Sequence, residues 1–239
     1  MARIDKVVRG RGRSAVVRLR IAVLVFVLGA VGTGRPASAE AAADPAPGSF
    51  AELLAGFAGS RGFEARFIEE KTLALLAAPL RSEGHLYFEA PSNLLRRVEK
   101  PRRQEILVRR DEVRIRDASG EQVIDLASRG PARPLIQSMI WIFTGDVESL
   151  EKVYRIDYRV LEGEHGEGAR RWQADLVPKG GPLASLIERL RVGGEGRATD
   201  YLEFVETSGD RTLTRIVDVE PGRRFGPEER RELFGAEAK

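Results

Sequence analysis

From Phe63 onward the chain changes face every residue. Phe63, Ala65 and Phe67 alternate with Glu64, Arg66 and Glu69, and His85, Tyr87 and Glu89 alternate with Leu86 and Phe88. A period of two with one apolar side predicts half-buried β-strands. Further short runs of this kind lie at Gln104–Arg109, Glu112–Arg116 and Gln122–Leu126, with turns at Arg110-Asp111 and Ala118-Ser119-Gly120. The spacing leaves no room for crossovers, so the pairing must be antiparallel. After an interruption the pattern resumes. Tyr154, Ile156, Tyr158 and Val160 alternate with Arg155, Asp157 and Arg159, and Trp172, Ala174 and Leu176 answer them beyond a polar tip at Glu162–Gly168. Leu183–Val192 reads equally as a helical turn or a strand. Thr199–Glu206 and Arg211–Val219, joined at Ser208-Gly209-Asp210, predict a last hairpin.

Two stretches have helical spacing instead. Ser49 and Glu52 form a capping box, followed by Phe50, Leu53, Leu54 and Phe57 on one face, and Gly59 or Gly62 ends the helix. Leu135–Phe143 (LIQSMIWIF) has only Gln137 and Ser138 as polar residues. A helix so apolar all round must face protein or bound ligand on most sides. Gly145 ends it, Asp146 caps a short helix to about Val153, and Pro227–Phe234 suggests a terminal helix. The sum is a mainly β chain with helices (α+β): about ten or eleven antiparallel strands that must curl, wrapped over helices.

The N-terminus changes how the charge is read. A basic segment, the apolar run Ile21–Val31 and Ala37-Ser38-Ala39 fit a secretory signal peptide over residues 1–39, cleaved after Ala39. The apolar run is short for a membrane span. Residues 1–39 hold eight of the 39 Lys/Arg and one of the 36 Asp/Glu. What remains has 31 basic and 35 acidic residues, net −4, so the high pI gives no reason to expect nucleic-acid binding. Residues 40–48 read as a linker, 49–222 as one domain, and 223–239 as a tail. With no cysteine there is no disulfide. His85 and His165, the only histidines, lack metal-ligand spacing, and no nucleophile elbow or P-loop is present. No enzyme activity, metal or cofactor is therefore expected. Glu69, Glu70 and Lys71 read as a solvated strand edge.

The capped helix, FEARFIEEK (63–71), SEGHLYFEAP (82–91), Pro101, ILVRRDEVRIRD (106–117) and MIWIFTGDVESLEKVY (139–154) occur in an order that resembles the LolA family of periplasmic lipoprotein carriers. The resemblance implies an incomplete antiparallel β-barrel closed by a helical lid, with a hydrophobic cavity for acyl chains between them. It implies Phe67, Leu86, Phe88, Ile106, Val108, Trp172 and Leu176 on the cavity wall, and Leu135, Met139, Ile140, Trp141 and Phe143 on the lid. It also implies a monomeric periplasmic carrier, loaded by an inner-membrane release complex and unloaded by an outer-membrane acceptor. Pro91 and Pro101, lacking an N–H, would sit where ladder bonding stops. Family members carry an arginine before the strand-ending proline, and that arginine bonds to the lid. Here the residue is Ala90, with Arg96 or Arg97 as the available replacements. The cargo is therefore left open between a lipoprotein and another lipid. The alternative on the same fold is a non-catalytic sensor or binding module.

Overall fold

The computed structural model describes residues 46–58, 61–109, 112–126, 132–161 and 170–235. The expected leader, the first part of the linker, the turn at Arg110-Asp111, the tip at Glu162–Gly168 and His165 lie outside the described residues.

The period-two segments form eleven strands: β1 (Gly62–Thr72), β2 (Leu80–Glu89), β3 (Asn93–Lys100), β4 (Gln104–Arg109), β5 (Glu112–Asp117), β6 (Gly120–Asp125), β7 (Tyr154–Leu161), β8 (Arg171–Pro178), β9 (Ile187–Glu195), β10 (Ala198–Glu206) and β11 (Arg211–Pro221). All belong to one antiparallel sheet in the order β6-β5-β4-β3-β2-β1-β11-β10-β9-β8-β7. Every neighbour but one is a sequential hairpin. The exception joins β1 to β11, from Phe63 opposite Pro221 to Thr72 opposite Arg211. β6 and β7 are the two edges, so the barrel is not closed.

The helices are α1 (Phe50–Ala58), α2 (Ala132–Thr144), α3 (Val147–Val153), α4 (Gly181–Ala184) and α5 (Pro227–Phe234). The ambiguous stretch after Leu183 divides between the single turn α4 and the strand β9. At α1, the Ser49 hydroxyl accepts the Glu52 N–H at 3.1 Å as expected. Glu52 reaches one residue further back than a capping box requires, to the Gly48 N–H at 2.9 Å. Asp146 caps α3 by accepting the Ser149 N–H at 3.0 Å. The Ser149 bonds hold its carboxyl below the usual range.

The sheet's inner face and α1–α4 share one core. Leu53 and Leu54 come from α1, Ile136, Met139 and Ile142 from α2, Leu150 from α3 and Leu183 from α4. α2, 13 residues and so about 20 Å long, lies over the inner face between α1 and α3. On the outer face a second, smaller core joins Tyr87, Leu95, Phe225, Leu233 and Phe234. The segment read as a tail thus folds as α5 and packs against β3. Pro91 and Pro101 follow the last paired residues of β2 and β3.

Candidate functional site

Strand parity decides what the inner face carries. Phe63, Ala65 and Phe67 of β1, Leu86 and Phe88 of β2, Leu94 and Val98 of β3, and Ile106 and Val108 of β4 all turn inward and are buried. From the other half come Trp172, Ala174 and Leu176 of β8, Leu190 and Val192 of β9, and Leu202 and Phe204 of β10. α2 closes over them. Its Phe143 ring lies 5.0 Å from that of Phe88 and 5.3 Å from that of Phe63. All twelve residues expected at the cavity and lid are drawn into this one interior. Phe67, Leu86, Phe88, Ile106, Val108, Leu135, Met139, Phe143, Trp172 and Leu176 are buried, and Ile140 and Trp141 are half-buried against the same core. α2 is seated on the sheet, and its side chains pack directly against it.

Polar groups on the inner face are few and placed. The first is an anchor for α2. Ser138, fully buried on the helix, accepts a hydrogen bond from the Tyr154 hydroxyl at 3.0 Å and donates to the Pro134 carbonyl at 2.7 Å. Burial pushes the Tyr154 phenol up to about 12, with the Ser138 bond a smaller, opposing influence. Gly145, at φ 75°, ends α2 in the left-handed region where glycine pays no Cβ penalty. It turns the chain into α3 and then into Tyr154 at the start of β7. α2 is therefore tied at its middle to the first residue of β7.

The second is a charged cluster. Arg96 turns inward from β3 with the parity of Leu94 and Val98. Its guanidinium lies 4.4 Å from the Phe67 ring centroid and donates to Glu69 of β1 at 2.9 Å. Between them β2 presents Gly84, where a Cβ would strike the backbone of Arg97, and Ser82. The Ser82 hydroxyl donates to Glu69 at 3.1 Å, as does Thr214 at 3.2 Å. Beside the cluster Lys71 bonds Glu206 at 2.9 Å. Two donors here, Arg96 Nε and Thr212 Oγ1, bond no protein group. The expected solvated edge at Glu69–Lys71 is corrected. Glu69 and Lys71 share the inward parity of Phe67 and are largely buried in ion pairs, while Glu70 alone of the three faces outward, paired with Arg81 at 3.1 Å.

Neither candidate arginine takes the lid-bonding role. Arg96 is committed to Glu69. Arg97 turns outward to Glu105 at 2.9 Å and lies over the Tyr87 ring. Ala90 bonds through its N–H to the Arg61 carbonyl.

The outer face of β8–β11 is ionic. Asp175 accepts from Arg191 at 2.7 Å and Arg159 at 3.0 Å. Burial alone would raise its carboxyl, but Arg191, and after it Arg189 and Arg159, outweigh burial and hold it below the usual range. Next to it is a groove of about 370 Å³ lined by Arg171, Arg191, Arg211, Arg215, Asp200 and Glu203 among others. Six of its eight lining residues are charged, and none belongs to the inner core. His85 pairs with Glu99 at 3.2 Å. Among the described residues no group of His, Asp or Glu is arranged to hold a metal, and no helix is long and apolar enough to cross a membrane.

Comparison with known proteins adds the following. No curated protein matches the chain. A LolA superfamily protein from Nitrosomonas europaea matches with 13% identity and a TM-score of 0.38, over 75% of this chain and 96% of that one. An outer membrane lipoprotein-sorting protein domain from Vibrio parahaemolyticus matches with 13% identity and a TM-score of 0.39, over 74% and 94%. The MucA/MucB complex of Pseudomonas aeruginosa matches with 11% identity and a TM-score of 0.43, over 74% of this chain and 56% of that one. A family model described as outer membrane lipoprotein carrier protein LolA-like matches residues 42–218, and by that match the chain belongs to the LolA-like family.

Proposed function

We propose that this protein is a non-catalytic periplasmic carrier that holds the acyl chains of a lipoprotein or another lipid between the inner face of the sheet and α2, and moves them towards the outer membrane. One observation carries the reading. Beneath α2 the inner face of the half-barrel is apolar, with its charged groups gathered around Arg96 and Glu69, and the helix above it is itself apolar nearly all round and tied to the sheet at its middle by the Tyr154–Ser138 bond. Lifting α2 would expose an apolar trough, and an acyl chain would replace the contacts α2 now makes. Each CH₂ kept from water is worth roughly 0.8 kcal/mol, so a carrier with a fully preformed cavity would release its cargo poorly. A lid that packs on the sheet competes with the cargo and makes release possible.

The arrangement suits an amphiphile. The trough ends at Arg96 and Thr212, whose unpaired donors would meet the oxygen atoms where acyl chains join a headgroup. Loading by an inner-membrane complex and unloading to an outer-membrane acceptor, by a monomer, complete the proposal. With Ala90 in the family's arginine position, the lid would be held by the Tyr154–Ser138 bond. Mass spectrometry of organic extracts from protein purified without detergent tests the reading. A near-stoichiometric acylated species is expected, and its headgroup names the cargo. Extracts that stay empty after crosslinking would favour a protein-binding module instead.

A further inference from the structure

The β1–β2 hairpin ends in nine residues without a charge, Thr72 to Leu80 (TLALLAAPL). An uncharged turn of this kind belongs in a core, yet here it stands in solvent. Leu75 is 96% exposed, Leu80 51% and Leu76 46%. The tip is fixed as well as exposed. The Ala74 N–H donates to Asp210 of the neighbouring β10–β11 turn at 3.0 Å, and the Leu76 N–H donates to the Leu73 carbonyl at 3.0 Å. Exposed leucines on a pinned turn lie outside the ordinary scatter of single surface apolar residues.

A second observation lies beside it. Register places Glu83 of β2 opposite Lys100 of β3, so the β3–β4 turn projects from the same rim of the sheet. That turn reads Lys100-Pro101-Arg102-Arg103, and all four residues are exposed. Arg81, at the base of the leucine tip, is exposed too. Glu70, Glu83 and Glu105, which pair with Arg81, Lys100 and Arg103, are all less exposed than their partners, so within each of these pairs the cation is the outer member. Arg102 makes no ion pair among the described residues. An apolar finger flanked by outward-pointing basic groups has the chemistry of an element that enters a bilayer interface, with leucines among the acyl chains and cations at the phosphates.

We infer that the β1–β2 tip and the β3–β4 turn together form a docking element for an anionic bilayer surface. Leu75, Leu76 and Leu80 enter the interface, and Arg81, Lys100, Arg102 and Arg103 meet the lipid phosphates. The binding is weak and reversible, because a few leucines and cations are far short of a spanning segment. It is separate from acyl binding in the interior, since none of these side chains belongs to the inner core.

The absence of cysteine permits a clean test. Leu75→Cys carries an environment-sensitive fluorophore, and Leu76→Cys provides a second reporter. Ala55→Cys on the exposed side of α1 is the control. Each protein is titrated with vesicles of phosphatidylcholine alone and of phosphatidylcholine mixed with phosphatidylglycerol. A blue shift at residues 75 and 76 on the anionic vesicles, absent at residue 55, is expected. The double change Arg102→Glu and Arg103→Glu should weaken that binding on the order of tenfold or more, as should added salt. No shift at either tip position overturns the inference. So does an equal shift at residue 55, which would mean adsorption of the whole protein, or an equal response to both vesicle types that the arginine changes leave untouched. Acyl binding by the interior does not enter any of these readouts, so the two proposals stand or fall apart.

Discussion

The two faces of the sheet are built from the same strands with opposite chemistry. Along β2, Leu86 and Phe88 face inward into the apolar core, while Tyr87 between them faces outward beneath α5. Across β8 to β10 the inner face holds Trp172, Leu176, Val192 and Phe204, and the outer face holds Asp175, Arg191 and Glu203 in one ionic network. Burial on the inner face depends on helices, above all α2, that pack across it. Burial on the outer face depends on neighbouring side chains and on α5, which packs against β3. Under the proposed function the difference separates roles: the outer face would keep the sheet in shape while the inner face exchanges its cover.

Paired substitutions would sharpen or break this division. The largest effect is expected at Phe88→Ala, which empties a site packed by Phe63 and Phe143 and should cost about 3–5 kcal/mol in urea unfolding. Tyr87→Ala, one residue away, should cost less, about 1–3 kcal/mol, and should loosen α5 rather than α2 in hydrogen exchange. Equal costs with α2 loosened in both would remove the distinction between faces.

Arg96→Ala comes next. It leaves Glu69 buried without its cation, at a cost of about 3 kcal/mol. That is the low end for a broken buried pair, because Ser82 and Thr214 still donate to the carboxylate. Changing both residues, Arg96→Met with Glu69→Leu, should recover most of the loss, and calorimetry of the three variants reads the difference.

Tyr154→Phe deletes the lid anchor for about 1 kcal/mol and should speed cargo exchange. The same residue predicts an alkaline dependence. Its folded pKa, about 12, lies above the unfolded value of 10.0. The native state therefore keeps a proton that the unfolded chain loses. Its stabilisation is complete below pH 10 and disappears as pH rises towards 12, on the order of 3 kcal/mol across the window. The stabilities of wild type and Tyr154→Phe should therefore converge and then cross between pH 10 and 12, leaving the variant the more stable, and parallel pH dependences would show that the phenol is not held neutral.

The smallest effect belongs to the outer surface. Arg66→Ala removes an exposed 2.8 Å pair with Asp218 and should change stability by less than about 1 kcal/mol.

Much of this division was readable from residue order, because period-two alternation assigns faces strand by strand. The same rule should have placed Arg96 and Glu69 inside. Arg96 shares the parity of Leu94 and Val98, and Glu69 that of Phe67; reading charge as exposure hid them. The Ser138–Tyr154 anchor had a weaker signal, a serine that is one of only two polar residues in Leu135–Phe143. The joining of β1 to β11 had none, since partners 139 to 158 residues apart in sequence carry no local mark of their pairing. β9 was blurred because the turn of α4 runs directly into it. The leucine tip was visible as an uncharged run, but only the structure showed that nothing covers it.

The central claim is that acyl chains lie between α2 and the sheet, and the chain's two tryptophans report on that space. Trp141 lies half-buried on α2, and Trp172 is buried on β8 with its indole N–H donating to the Gly196 carbonyl at 3.0 Å. The decisive measurement is tryptophan fluorescence during titration with a monomeric lysolipid whose acyl chain carries bromine, a contact quencher. Saturable quenching of both tryptophans at one ligand per protein is the predicted result. Full emission from both at saturating lysolipid would contradict the account.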